Sequence, residues 1–219
     1  MKINTDGVLL GALAHADHPK AIVDVGTGTG VIALMLAQRF ADATIDAVEI
    51  DGQAAQTAAV NFAGSPFAER LTAYPLAFDE FFEQYHDKKF DLIVSNPPFY
   101  INSLSSPKKE RQIAKHADKG FFEALIKNVS EHLNQDGIFC TILPPDTAEL
   151  VHKLAREKGL SVIKQTNVLS YKGMEPHREV LFLSSMRTNA GNQEFVIYNE
   201  PQVYSKEYRE TLKDFFTIF

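Results

Sequence analysis

The sequence predicts an α/β fold with a mostly parallel, twisted sheet, helices on both faces and one antiparallel edge strand. Short apolar segments alternate with segments of helical periodicity along the chain, which is typical of a doubly wound sheet. A glycine-rich turn follows the first strand, and a stiff proline turn follows the fourth. Because no linker or low-complexity stretch interrupts the 219 residues, we expect a single domain over residues 1–219.

The individual elements follow from apolar runs and apolar spacing. Short apolar runs predict strands at 22–25, 44–48, 71–74, 92–94, 137–143 and 161–168. Helical spacing predicts helices at 31–40, 53–62, 78–84, 121–133 and 147–158. Two late segments, 179–186 and 194–198, also resemble strands, and we expect one of them to form the antiparallel edge. The tail, 205–219, carries an amphipathic pattern and should pack on the body of the domain.

The turn after the first strand reads Gly26-Thr27-Gly28-Thr29-Gly30 and is preceded by Asp24. Its glycines permit a tight turn and close approach of a ligand, and the next helix presents unpaired N–H groups. Dinucleotide enzymes, nucleotide binders and plain turns all share such a loop. However, Glu49 ends the second strand about twenty residues later, where an acid can bind ribose hydroxyls. With Asp24 before the first glycine, the pattern resembles the S-adenosylmethionine motif of Rossmann-like methyltransferases.

The fourth strand closes in Asn96-Pro97-Pro98-Phe99. The prolines fix their own φ angles and carry no N–H, so the turn is stiff and its carbonyls can accept hydrogen bonds. The Asn96 amide oxygen and the Pro97 carbonyl could both accept from one NH₂ group, and the Phe99 ring offers a stacking face. The pattern resembles methyltransferases that act on exocyclic or amide nitrogens; a proline turn that merely ends a strand is the alternative.

Basic residues crowd into the polar segment 100–119, directly after this turn. Lys108, Lys109, Arg111 and Lys115 lie there, although the net charge of the chain is −6. We expect a mobile loop at the edge of the site whose cations contact phosphates. A solvated charged face and an inert insertion are the alternatives.

The remaining composition limits the functional classes. Cys140 is the only cysteine and lies inside the apolar run 137–143, which indicates a core residue rather than a nucleophile. The seven histidines show no metal-ligand spacing, so we expect no metal. With one cysteine no disulfide can form within the chain, which fits a reducing cytoplasm, so we expect a cytoplasmic protein. No apolar run approaches the ~20 residues that span a bilayer, so we expect no membrane association.

The opening MKINTDGVLLGA, residues 1–12, resembles the first residues of the bacterial tRNA1(Val) adenine-37 N6-methyltransferases. The segment 95–100, the triplet Pro176-His177-Arg178 and the tail pattern Tyr204-Ser205-x-x-Tyr208 are similar to that family as well. The resemblance covers essentially the whole chain. It implies a Rossmann-like class I methyltransferase fold, S-adenosylmethionine as cofactor, and methylation of N6 of adenosine 37 in the anticodon loop of a valine tRNA. We expect the enzyme to act as a monomer.

The resemblance also assigns roles to individual residues. The cofactor would be held by Thr5, Asp24, Gly26, Gly28, Glu49 and Asn96, with Thr5 and Asp6 on a helix near its methionine end. A helix-capping role for Thr5 or Asp6 is the alternative. The target adenine would be held by Asn96, Pro97 and Phe99. RNA contacts are expected from Tyr100, Lys108, Lys109, Arg111, Lys115 and Arg178.

One departure from the family pattern concerns the third strand. Family members often carry Ala-Asp after this strand, where the acid contacts the adenine amino group of the cofactor. Here the stretch reads Pro75-Leu76-Ala77-Phe78-Asp79, so that contact is absent or comes from Asp79.

Other functions remain open from the sequence alone. Release-factor methyltransferases use a similar Asn-Pro-Pro turn for a glutamine amide, and an rRNA base is another NH₂ substrate. A cofactor-binding or RNA-binding module without catalytic activity is the alternative outside enzymes.

Overall fold

The computed structural model describes residues 4–98, 108–186 and 190–217, with only the backbone described over 108–118. These residues form a nine-stranded sheet in the order β3-β2-β1-β4-β5-β7-β6-β8-β9. The strands are β1 (Ala21–Val25), β2 (Thr44–Val48), β3 (Leu71–Tyr74), β4 (Phe90–Ser95), β5 (Leu133–Leu143), β6 (Ser161–Tyr171), β7 (Arg178–Ser184), β8 (Gly191–Glu200) and β9 (Val203–Tyr204). The helices are α1 (Thr5–Leu13), α2 (Val31–Arg39), α3 (Gly52–Ala63), α4 (Phe78–Gln84), α5 (Lys108–His132), α6 (Pro145–Glu157) and α7 (Lys206–Leu212).

The sheet is mostly parallel, as predicted. Strands β1 to β5 pair in parallel, and so do β6 and β8. Strand β7 runs antiparallel between β5 and β6, and β9 is the antiparallel strand at the edge. Of the two late segments, the first is therefore antiparallel but lies inside the sheet, and the second is parallel to β6. Strand β7 runs antiparallel to β6 because the connection between them, 172–177, is short, whereas a parallel crossover needs a dozen or more residues.

Helices cover both faces of the sheet because neighbouring strand residues point to opposite sides. On one face α1, α2, α3 and α7 bury Leu9, Leu36 and Phe62 against Ile22 and other strand residues. On the other face α4, α5 and α6 pack their apolar side chains against Val23, Ile93 and Phe139. Cys140 is fully buried in the first of these cores, as predicted for a core residue.

The predicted loop over 100–119 is wrong for residues 108–119, which form the first part of α5. Lys, Glu, Arg, Gln and Ala dominate this stretch and are strong helix formers, so a helix forms there without an apolar stripe. Ser106-Pro107 in the sequence is also a signal for a helix start. Residues 100–107 lie outside the described part of the chain.

The tail packs on the body, as predicted. Tyr208 and Leu212 of α7 are buried in the core, and Phe215 and Phe216 pack against it. Ser205 caps α7 by accepting from the Tyr208 N–H at 2.9 Å and donates its hydroxyl to the Val196 carbonyl at 2.6 Å. The Tyr204 and Tyr208 rings stack with centroids 4.7 Å apart. The Tyr204-Ser205-x-x-Tyr208 pattern therefore fastens α7 to β8.

The register of the central strands brings three turns to one edge of the sheet. Val25 at the end of β1 pairs with Val48 at the end of β2 and with Ser95 at the end of β4. Val48 pairs in turn with Tyr74, the last residue of β3. The residues that follow these strand ends therefore start side by side.

The glycine turn generates a first prediction. Gly30 has φ +87°, and a Cβ atom placed on it would lie 2.4 Å from the buried Phe62 ring. Gly159, with φ +77°, serves as the control, because a Cβ atom placed on it would have no atom within 4 Å. We expect Gly159→Ala to lower the free energy of unfolding by about 1–2 kcal/mol through backbone strain. Gly30→Ala should cost roughly 2–5 kcal/mol, because overpacking is added to strain. Urea unfolding measures both, and equal losses would contradict the close packing of Gly30 on α3.

Candidate active site

A cavity of about 800 Å³ opens at the carboxyl edge of the sheet, above β1, β2 and β4. Its walls come from the glycine turn, the end of β2, the loop after β3, the Asn-Pro-Pro turn and the first turn of α1. Six residues that the sequence singled out line it: Gly26, Gly28, Glu49, Asn96, Pro97 and Arg178. In open parallel sheets this edge, beside the strand where the order reverses, is where ligands bind.

The glycine turn adopts a conformation that depends on its glycines. Gly26, Gly28 and Gly30 have φ of +75°, +59° and +87°, which L side chains rarely adopt. The Gly26 and Thr27 N–H groups donate to the Val48 carbonyl at 2.8 and 3.0 Å, which ties the turn to β2. A Cβ atom on Gly26 would meet nothing within 4 Å, so the backbone there faces open space. A ligand can therefore approach the main chain directly.

Glu49 is held by the backbone around it. Its Oε2 accepts from the Gly28 N–H at 2.8 Å, and its Oε1 accepts from the Asp51 N–H at 2.9 Å. Asp51 in turn caps α3 by accepting from the Gln53 and Ala54 N–H groups. Each Glu49 oxygen keeps a second lone pair, so the carboxylate can accept further hydrogen bonds from the hydroxyls of a ligand.

Asp24 lies beneath the turn, fully buried and outside the lining of the cavity. Its Oδ2 accepts from the Thr27 hydroxyl at 2.6 Å, while Oδ1 has no hydrogen-bond partner among the described residues. Burial raises the pKa of Asp24 to about 7, and the charge of Glu49 adds to the rise. The Thr27 hydroxyl and the Ala33 amide lower that pKa in part. Asp24 thus orders the turn through Thr27.

The Asn-Pro-Pro turn sits directly beside the glycine turn. The Ser95 hydroxyl donates to the Val25 carbonyl at 2.9 Å and locks the end of β4 to the end of β1. Asn96, Pro97 and Pro98 then line the cavity, with Asn96 half-buried. Phe99 and Tyr100 lie outside the described residues, as do the side chains at 108, 109, 111 and 115, so their predicted roles remain predictions.

The first turn of α1 forms the wall nearest Asn96. Asn4 caps the helix by accepting from the Gly7 N–H at 2.8 Å, so neither Thr5 nor Asp6 is the cap. Thr5 is exposed and lies outside the cavity lining, whereas Asn4 and Asp6 belong to it. Asp6 accepts from Arg178 Nε at 2.7 Å. The role of Thr5 toward a cofactor therefore remains a prediction.

Part of the cavity lining is apolar, and it includes the residue that follows Glu49. Ile50 is 76% exposed there, although it is a large aliphatic side chain. Phe78 and Phe121 contribute their rings edge to face, with centroids 5.4 Å apart. Ala77 precedes α4 and carries no acceptor, while Asp79 in the first turn of α4 lines the cavity. The sequence singled out Asp79 as a possible replacement for the missing acid, and its position in the lining is compatible with that role. It did not indicate the contact between Phe78 and Phe121, which meet only in the folded chain.

In residues 4–98, 108–186 and 190–217, no group of three or more His, Cys, Asp or Glu side chains could hold a metal ion. In the same part of the chain, no helix combines the length and the apolar character needed to cross a membrane.

Several solved methyltransferase structures are similar to this one. A predicted O-methyltransferase from Agrobacterium tumefaciens superposes with a TM-score of 0.74 at 16% identity, covering 95% of this chain and 96% of its own. A precorrin-6y C5,15-methyltransferase from Geobacter metallireducens gives a TM-score of 0.55 at 17% identity, covering 80% and 83%. At such identities the likeness shows the fold alone. Together with the glycine turn and the acid at the end of β2, it defines a class I methyltransferase domain.

Comparison of sequences identifies the family. Residues 4–145 match the model of the methyltransferase small domain. The tRNA1(Val) (adenine(37)-N6)-methyltransferase of Pedobacter heparinus is 42% identical over 219 residues, covering 100% of this chain and 92% of the relative. The enzyme of the same name from Yersinia enterocolitica is 36% identical over 217 residues, covering 99% and 86%. The chain belongs to the tRNA1(Val) (adenine(37)-N6)-methyltransferase family, as the resemblance of its motifs predicted.

The buried Asp24 generates a prediction about pH. In the unfolded chain its carboxyl has the ordinary pKa of 3.8, so between about pH 4 and 7 the folded state holds a proton that the unfolded state has lost. The free energy of unfolding should therefore fall as pH rises through this window. Asp24→Asn removes the titration, and we expect it to stabilise the protein above pH 7 by up to about 4 kcal/mol, at 1.4 kcal/mol per pKa unit.

Urea unfolding at about pH 4.5 and pH 8 measures this effect. Asp136→Asn, the same substitution at an exposed position, is the control. An Asp24→Asn variant that loses equal stability at both pH values would contradict a raised Asp24 pKa.

Proposed function

We propose that this enzyme transfers a methyl group from S-adenosylmethionine to N6 of adenosine 37 in the anticodon loop of a valine tRNA. The observation that carries the proposal is the juxtaposition of a glycine turn of cofactor type and an Asn-Pro-Pro turn around one cavity. Relatives that match over 99–100% of this chain are named for this reaction. We infer that the enzyme works in the bacterial cytoplasm, where tRNA is modified; a monomeric state remains a prediction.

The residues at the Glu49 end of the cavity fit the adenosine part of the cofactor. Glu49 is oriented by two backbone amides and can accept from both ribose hydroxyls. Ile50 and Phe78 both line the cavity and can cover the two faces of a flat ring. The open backbone at Gly26 leaves room for the cofactor to pass over the turn toward Asn96. When bound, S-adenosylmethionine supplies an electrophilic methyl group.

Asn96 and Pro97 are the residues that we assign to the target amine. An adenine N6 is a poor nucleophile, because its lone pair is delocalised into the ring. Accepting both N6 hydrogens on Asn96 Oδ1 and the Pro97 carbonyl would draw them from the ring plane and localise the lone pair on nitrogen. With its lone pair localised by Asn96 and Pro97, N6 would accept the methyl group that the cofactor would supply, and N6 would release one proton to water. Orientation contributes more than acid–base chemistry here, since both acceptors are neutral.

The RNA is expected to contact the part of the chain that follows this turn. Phe99 would hold the extruded base by stacking, worth about 1–3 kcal/mol, with Tyr100 beside it. Lys108, Lys109, Arg111 and Lys115 belong to the start of α5, which follows the Asn-Pro-Pro turn in the chain. A helix carrying several cations suits the phosphates of an anticodon loop, whose bases unstack at little cost.

Methyl transfer to short RNAs tests the substrate. A valine anticodon stem-loop with adenosine at position 37 should accept a labelled methyl group, and the product should be N6-methyladenosine. The same stem-loop with guanosine at that position is the control and should stay unlabelled. Labelling of rRNA or of a release factor, without labelling of the stem-loop, would retain the chemistry and contradict the proposed substrate.

Asn96→Ala tests the mechanism. We expect turnover to fall by about 10²-fold or more, because the amine loses one of its two acceptors in the transition state. The dissociation constant of S-adenosylmethionine, measured by calorimetry, should stay within about threefold, since Glu49 and the glycine turn remain. Gln84→Ala, which removes an exposed amide at the far end of α4, should keep full turnover. If Asn96→Ala turned over about as fast as the wild type, the proposed role of Asn96 as an acceptor for the target amine would be contradicted.

A further inference from the structure

The first turn of α1 packs closely against Asn96. A Cβ atom on Gly7 would lie 3.5 Å from Asn96 Nδ2 and 3.1 Å from Asn4 Oδ1. A Cβ atom on Gly7 would thus be in van der Waals contact with the Asn96 amide, so the first turn of α1 lies directly beside this side chain. A shift of the turn would therefore change the space in which the Asn96 side chain is held.

The far end of α1 is fastened to α2. Arg39 Nη1 donates to the Gly11 carbonyl at 2.8 Å and to the Ala14 carbonyl at 2.6 Å, which satisfies carbonyls at the end of the helix. Gly11 also packs on Met35, whose Sδ would lie 2.7 Å from a Cβ atom at this position. These contacts fix the end of α1 that lies away from the cavity.

The end of α1 beside the cavity is fastened to the sheet by an ion pair. Arg178 Nε donates to Asp6 Oδ2 at 2.7 Å, across 172 residues of sequence. Arg178 Nη1 donates to the His177 carbonyl at 2.7 Å, which directs the guanidinium at the start of β7. The pair thus connects the helix that borders Asn96 to β7, which begins at Arg178.

The burial of this pair distinguishes it from the surface ion pairs. The Arg178 and Asp6 side chains are 28% and 16% exposed, whereas those of Lys20 and Asp42 are 65% and 78% exposed at a similar distance of 2.8 Å. Exposed pairs contribute little, but removing one partner of a largely buried pair leaves an uncompensated charge. The Asp6–Arg178 contact can therefore hold the helix in place.

We propose that Arg178 is a positioning residue, which acts through Asp6 to hold the first turn of α1 against Asn96. The inference rests on the proposed function, because the reaction is its readout. It replaces the expectation that Arg178 contacts an RNA phosphate. The same pair of side chains then governs the geometry at the amine acceptor rather than the affinity for RNA.

The two roles of Arg178 predict opposite effects of Asp6→Asn. If Arg178 bound a phosphate, removing the Asp6 charge would leave turnover intact and would strengthen or preserve RNA binding. If Arg178 positions α1, Asp6→Asn and Arg178→Gln should each lower kcat. In that case the KM for tRNA and its salt dependence should stay unchanged, since no phosphate contact is lost.

A double-mutant cycle on the full chain tests the proposal, with the anticodon stem-loop as substrate. We expect each single variant to lower kcat about 10- to 100-fold, since small misplacements of reacting groups have effects of this size. The double variant should be no slower than the slower single variant, because both remove the same contact. Arg178→Lys, which keeps the charge opposite Asp6, should recover part of kcat. Lys20→Gln, which breaks an exposed pair at the opposite edge of the sheet, should match the wild type.

Hydrogen exchange separates failure of this proposal from failure of the proposed function. The Gly7 and Val8 amides, which donate to Asn4, should exchange faster in Asp6→Asn and Arg178→Gln than in Lys20→Gln. Hydrogen exchange needs no substrate, so it tests the position of α1 even if the wild type methylates a molecule other than this tRNA. Unchanged exchange at these amides would overturn the proposal. A higher KM for tRNA in Arg178→Gln, with a salt slope smaller by about 1 and full kcat in Asp6→Asn, would overturn it as well.

Discussion

The parallel register around β1 is the constraint on which the site depends. Val25 pairs with Val48 on one side and with Ser95 on the other, so β1, β2 and β4 end at the same level. The turns that follow these strands are consequently neighbours, although they are far apart in sequence. The Ser95 hydroxyl on the Val25 carbonyl and the Gly26 N–H on the Val48 carbonyl extend the pairing into the turns themselves. A cavity with a cofactor end and an amine end follows from that alignment.

Several features that shape the site lower the stability of the folded protein. Three glycines adopt left-handed backbone conformations, and Asp24 carries a buried carboxyl whose pKa is raised to about 7. Such features recur where a protein fixes a ligand site rather than optimising its fold. Glu49 shows the complementary principle, because two backbone amides orient its carboxylate before any ligand arrives. Preorganised acceptors lose little entropy when a ligand binds.

The parts of the site that were predictable from sequence are those that local chemistry determines. Strands β2 and β3 and helix α4 have the predicted bounds, since their apolar runs end in clear turn signals. Gly26, Gly28, Glu49 and Asn96 share a cavity because each follows a parallel strand, whose carboxyl ends lie on one edge.

The parts that were not predictable depend on contacts between distant segments. The position of β7 between β5 and β6 follows from tertiary pairing, and no local pattern distinguishes an inner strand from an edge strand here. The Asp6–Arg178 pair and the Phe78–Phe121 contact join residues from separate elements, so the spacing of residues along the chain does not predict them. The start of α5 at Lys108 was missed because helix propensity, rather than apolar periodicity, extends it.

The most direct test of the account is a structure of the enzyme with S-adenosylhomocysteine and the valine anticodon stem-loop. The account predicts ribose hydroxyls on Glu49, the adenine of the cofactor product beside Ile50, and N6 of the target base within about 2.7–3.2 Å of Asn96 Oδ1. The cofactor product and the target base would then occupy opposite ends of the one cavity. A cofactor product bound away from Glu49, or a target amine that does not reach Asn96 and Pro97, would contradict it.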